Sequence, residues 1–174
     1  MKHLFFALTF FICSALSAQT FQNKKNTAYL QFLGNSVPYS LKYERVLWSK
    51  NIFGISAEAG FGFSPLANQG YSKSINAIDI PLDINFLVEF LPNHFVDMGG
   101  GITPTKRPKS AFAQIVEHEQ QNSWDTFGST HLNYRFVSNK GMFFKVGYYQ
   151  LYNFSVLGNK NITHTIGVGL GYSF

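Results

Sequence analysis

Residues 162–174 read ITHTIGVGLGYSF and alternate without interruption. Ile162, His164, Ile166, Val168, Leu170, Tyr172 and Phe174 fall on one face of an extended strand. Thr163, Thr165, Gly167, Gly169, Gly171 and Ser173 fall on the other. One face is large and apolar, the other small or polar. A strand of a soluble sandwich usually ends after ~5–6 residues. A strand that crosses a bilayer at a tilt needs ~9–11, with lipid on one side and a packed lumen on the other. The length of this alternation points to a membrane-spanning sheet closed on itself.

The rest of the composition agrees. Charged residues make up 13% of the chain, against about 25% in average soluble domains. Aromatics reach 17%, with 19 Phe and 9 Tyr. Mean hydropathy is −0.03, and past the first eighteen residues no long apolar run occurs, which excludes a helical membrane protein. Residues 1–18 read as a secretory signal peptide: Lys2 and His3, an apolar run over 4–12, then small residues over 14–18. Cleavage after Ala18 and cleavage after Ser17 both remain open. Cys13, the single cysteine, lies inside the apolar run and follows Ile12, which rejects a lipoprotein. Removal of the leader leaves residues 19–174 as one domain without a disulfide. The net charge of +5 fits either contact with anionic lipopolysaccharide or simple solubility, and no basic block points to nucleic acid.

Alternation and turn residues predict eight antiparallel strands over 27–34, 39–48, 52–63, 77–89, 95–103, 126–137, 141–152 and 162–174. The fold class is all-β, an up-and-down transmembrane barrel. Pro81 lies inside the fourth strand and cannot donate a ladder bond, so a bulge is expected there. An even strand number places both chain ends at one rim. In outer-membrane barrels that rim is periplasmic and its turns are short, while extracellular loops are longer. The connections near Lys50, Asn93 and Asn139 are short. On the opposite rim the loops 64–76, 104–125 and 153–161 are long, and only the first, near Asn35, is short. A soluble barrel has no reason for this asymmetry. Trp48, Trp124, Tyr39, Phe63, Tyr71, Tyr152 and Phe174 fall near strand ends, as aromatic girdles require.

Three stretches carry a likeness to known proteins: Tyr39-Ser40-Leu41-Lys42-Tyr43-Glu44-Arg45, Gly141-Met142-Phe143-Phe144-Lys145-Val146-Gly147-Tyr148 and Gly169-Leu170-Gly171-Tyr172-Ser173-Phe174. The chain resembles the small outer-membrane β-barrel proteins of Bacteroidota-type, Gram-negative bacteria, most of which have no assigned function. Tyr172 and the final Phe174 resemble the C-terminal signal read by the barrel assembly machinery. The resemblance implies residence in the cell outer membrane, among its lipids and lipopolysaccharide. It implies an architecture and no activity.

The facing places Lys42, Arg135 and Lys145 in the lumen with Glu44, Glu58, Asp83 and Asp97. An eight-stranded barrel is just wide enough for its own side chains. Opposite charges there should pair, since an unpaired buried charge is very costly. The expected result is a salt-bridged plug; the rival is a narrow conduit for small solutes. Ser129, His131 and Asn133 share one face of the sixth strand. Ser129 with His131 is the one nucleophile–base candidate, and small barrels include lipid A deacylases with a His–Ser pair. In that pattern the serine lies two residues after the histidine, where this chain has Asn133. An interior His bonded to its neighbours is the simpler reading. Glu117-His118-Glu119 reads as a solvated loop tip, not a metal site, because neighbouring side chains diverge and no second histidine is near. His94 and His164 read as turn and interface residues. No cofactor motif occurs. The sequence therefore supports a closed barrel with a structural or surface-interaction role, displaying its long loops to an extracellular ligand. A lipid A-modifying enzyme is the alternative, and a channel comes third.

Overall fold

A computed structural model describes residues 24–36, 39–66, 75–106, 124–153 and 162–174. The strands are β1 (Asn26–Leu33), β2 (Tyr39–Lys50), β3 (Phe53–Leu66), β4 (Ile75–Asp79), β5 (Leu82–Leu91), β6 (His94–Lys106), β7 (Trp124–Val137), β8 (Met142–Asn153) and β9 (Ile162–Ser173). Apart from β4 and β5, sequence neighbours pair antiparallel, and β1 pairs with β9 from Thr27↔Ser173 to Leu33↔Gly167. The sheet is closed. Both β4 and β5 lie between β3 and β6. They are the two halves of one interrupted strand, so the nine segments make an eight-stranded barrel.

The interruption falls at Ile80 and Pro81, but no bulge forms there. Gly62 faces Asp79 and Ala59 faces Leu82, a three-residue step on both chains. The register therefore runs straight through. Pro81 withdraws only a donor: its carbonyl still accepts from Gly60 N at 2.9 Å, and Ile80 N donates to Pro104 O at 2.9 Å. The true register shifts lie between Val46 and Trp48 and between Glu89 and Leu91, close to the short turns, where extra twist costs least. The expected loops are also shorter than their composition indicated. Ladder pairing carries β3 to Leu66 and β6 to Lys106, and starts β7 at Trp124. Barrel neighbours supply partners for backbone groups that local sequence would leave in a loop. The remainder of those loops, with Tyr71 and Glu117-His118-Glu119, lies outside the described residues, as do residues 1–18.

Side-chain alternation sorts the two faces. Leu41, Ile84 and Leu170 are 59%, 61% and 53% exposed, while Lys42, Asp83 and Gly169 beside them are buried. This inverts a soluble protein, with large apolar groups outside and polar groups within. Such a wall is stable only where lipid covers it, each large side chain then contributing ~1.5–3 kcal/mol. Among the described residues the strands are bonded to one another in a single ring, as a bilayer core demands.

The two rims differ. At one, β2 and β3 are joined through Asn51, β5 and β6 through Asn93, and β7 and β8 through Gly141. All three residues have positive φ (54°, 72° and 101°), a conformation that Asn and Gly adopt most readily. The start of β1 and the end of β9 meet at this rim, where Asn26 N donates to Phe174 O (3.0 Å) and Phe174 N to Asn26 O (2.8 Å). Lys24 Nζ caps the carbonyls of Ser138 and Asn139, each at 2.7 Å. Trp48 lies on the outer wall near this rim, and Trp124 begins β7 at the opposite one.

Candidate functional site in the barrel lumen

The interior is built from the inward half of every strand. A layer of apolar side chains closes the end nearer the short turns: Val46, Leu87, Phe95, Val137 and Phe143, with Tyr29 above them. Over this floor stands Arg135 of β7, inserted between Phe143 (5.0 Å from guanidinium carbon to ring centre) and Phe95 (5.8 Å). Its Nη1 donates to Glu44 Oε1 at 2.6 Å, and the same oxygen accepts from Ser56 Oγ at 2.5 Å. Its Nη2 reaches Thr27 Oγ1 at 3.4 Å. A planar cation between two rings can lose its water and keep favourable contacts on both faces.

The middle layer centres on Glu58 of β3. Its Oε1 accepts from Lys42 Nζ at 2.5 Å. Its Oε2 accepts from Tyr29 Oη at 2.5 Å and from Lys145 Nζ at 3.1 Å. One carboxylate thus joins a lysine of β2 to a lysine of β8 across the lumen. Lys145 Nζ lies 2.9 Å from Asp97 Oδ2, an ion contact whose orientation does not make a directed hydrogen bond. Lys42 also lies 3.6 Å from Asp83 Oδ2. All seven charged residues expected in the lumen are there, each with relative exposure of 4% or less. Asp79 and Glu89 are buried as well. Among the described residues six buried carboxylates therefore face three cations, and the surplus is held by neutral donors. Ser36 Oγ donates to Asp79 at 3.3 Å and the backbone N of Asn93 to Glu89 at 3.0 Å.

The lumen is shut at its other end by the first connection. Leu33 and Gly34 both take positive φ, 59° and 84°, and turn the chain inward. Asn35 and Ser36 are consequently fully buried. Asn35 Oδ1 accepts from Lys42 Nζ at 2.6 Å and its Nδ2 donates to Asp83 Oδ2 at 2.5 Å. Its backbone carbonyl accepts from Thr103 Oγ1 at 3.2 Å. This explains the one short connection on the rim of long loops: it is a stopper. Nothing local in the sequence marks it, because Gly-Asn-Ser is an ordinary turn composition. Only its brevity was a signal.

Ser129 and His131 also face the lumen, but not each other. Ser129 Oγ donates to Asp83 Oδ1 at 3.2 Å. His131 Nε2 lies 3.0 Å from Asn85 Oδ1 and 3.5 Å from Asp97 Oδ1, with its ring 5.1 Å from that of Tyr149. Room for the imidazole comes from Gly99, where a Cβ would stand 2.6 Å from Asn85 Oδ1 and 2.9 Å from His131 Nε2. Asn35, Asn85, Tyr29 and Tyr149 are network members that charge counting passes over. Asn85 and Tyr149 share the alternation of Asp83 and Lys145; the side taken by Tyr29, and all of the partners, came only with closure of the sheet. His94 Nδ1 bonds Tyr134 Oη at 2.6 Å and His164 Nδ1 bonds Tyr148 Oη, both pairs on the outer wall. Tyr172 and Phe174 lie there too, 53% and 56% exposed at the rim of the short turns.

No family model and no curated protein matches the chain. Among solved structures it is similar to the outer membrane protein Ail of Yersinia pestis, whose backbone structure was determined in a phospholipid bilayer nanodisc. The identity is 12%, the TM-score 0.49, and the match covers 87% of this chain and 100% of that one.

Proposed function

We propose that this chain is an outer-membrane β-barrel with a sealed lumen, a rigid scaffold that presents the connections 67–74, 107–123 and 154–161 at the cell surface. The membrane assignment rests on the inverted wall, apolar outside and polar within, and on the single ring of bonded strands. The rim with the short turns and the end of β9 faces the periplasm. Residues 1–18 are the export leader, and Tyr172 and Phe174 are the signal for the assembly machinery. Long connections on a rigid base are the usual means of surface recognition, so an extracellular ligand is bound there and not within.

The observation that carries the sealed-scaffold reading is the lumen itself. The bonded chain Lys42–Glu58–Lys145 crosses it, Asn35 enters from the loop side and an apolar layer closes the side of the short turns. A permeating ion would have to displace several buried charged contacts at once. Ser129 and His131 are bonded to Asp83 and Asn85 inside this plug, away from any lipid, which favours a scaffold over lipid modification. Planar-bilayer recording tests the reading: the purified barrel should insert without stepwise conductance. Stable unitary currents from the wild-type protein would overturn it.

A further inference from the structure

A groove of about 620 Å³ indents the outer wall. Its floor is Ala57 and Ala59 of β3. Tyr43 and Leu47 of β2 stand along one side, and beyond the alanines lie Leu82 and Ile84 of β5 and Gly100 and Ile102 of β6, so the groove crosses four neighbouring strands. Arg45 lies between Tyr43 and Leu47, opposite Ala57, and is exposed. Among the described residues it is the one formally charged side chain on the outer wall away from the strand ends, and it has no ion-pair partner there. A lipid-facing cation is costly unless an anion meets it.

The register gives its depth. Arg45 pairs with Asn26, the first residue of β1, which in turn bonds Phe174. On its β1 side Arg45 is therefore level with the first bonded pair of the barrel, while β2 runs on to Lys50, and its long side chain can reach toward that interface with its stem on apolar wall. The groove leads away from Arg45 over Ala57 and Ala59 toward Ile84 and Gly100.

We infer that this groove binds an anionic glycerophospholipid of the periplasmic leaflet, its phosphate on the Arg45 guanidinium and one acyl chain over Ala57 and Ala59. A guanidinium holds two phosphate oxygens at once, and two alanines between bulky neighbours leave the width of a hydrocarbon chain. The inference rests on the membrane assignment above and adds a leaflet, a headgroup charge and a residue.

The test is reconstitution into vesicles of equal phosphatidylglycerol and phosphatidylcholine, followed by native mass spectrometry of the extracted barrel. The wild type should retain phosphatidylglycerol in preference to phosphatidylcholine. Arg45→Gln should lower that retention about five-fold, the usual effect of one basic group at an anionic surface. Ala59→Phe, which fills the groove and leaves Arg45 in place, should lower it as well. Wild-type retention by Arg45→Gln, or displacement of phosphatidylglycerol by an equal fraction of lipid A, would overturn the site while leaving the barrel intact. Failure of the wild type to insert would refute the membrane assignment and this site with it.

Discussion

Replacing Arg135 by Ala isolates one buried charge contact. Glu44 Oε1 receives hydrogen bonds from Arg135 at 2.6 Å and from Ser56 at 2.5 Å. After substitution only the serine remains, and the carboxylate stands with 1% exposure over an apolar floor. Breaking a buried pair by removing one partner costs about 3–5 kcal/mol. Loss of the two ring contacts adds up to ~2 kcal/mol where they are desolvated. Water entering the vacated space reduces both terms, so ~3–5 kcal/mol is the expected total. A second substitution separates charge from packing. Glu44→Gln in the Arg135→Ala background removes the stranded charge and should recover a large part of the loss. Arg135→Met with Glu44→Gln should approach wild-type stability, since well-packed apolar replacements of buried pairs are often neutral. Urea unfolding from lipid vesicles, followed by the fluorescence of Trp48 and Trp124, gives midpoint and slope. An unchanged midpoint for Arg135→Ala, or no recovery with Glu44→Gln, would refute the argument that the Arg135–Glu44 contact governs the stability of this layer.

Three other outcomes follow from the same geometry. Val168→Arg places a charge against lipid and should cost ~2–4 kcal/mol if it reaches the midplane, whereas Leu170→Arg, nearer the rim, should fall toward about 0–1 kcal/mol; equal costs in vesicle unfolding would contradict the assigned depths. Gly99→Val drives a side chain into Asn85 and His131 and should destabilise by about 1–3 kcal/mol, with a shifted His131 resonance in the NMR spectrum; an unperturbed His131 would mean the lumen is looser than described. Phe174→Ala should reduce insertion in cells yet leave refolding into detergent intact if Tyr172 and Phe174 are read during assembly, while equal loss in both assays would reduce Phe174 to a packing residue.

What the chain's own order of residues determined is the facing. Period-two alternation is a local property, because each peptide unit reverses its side chain irrespective of what lies beyond. It placed Lys42, Glu44, Glu58, Asp83, Asp97, Arg135 and Lys145 on the inner side and Leu170 and Val168 on the outer before any strand was paired. Partnership is different. Arg135 meets Glu44 at a sequence separation of 91, and Lys145 meets Glu58 at 87. Those meetings depend on how far each strand is staggered when the sheet closes, which no stretch of residues encodes alone. Closure likewise decided that Pro81 breaks a ladder without shifting it, that Pro104 continues a strand, and that the turn at Asn35 folds inward. In each case the deciding partner is a backbone or carboxylate brought from a distant strand. Alternation decides which side of the wall a residue occupies; only the closed barrel decides what it finds across the lumen.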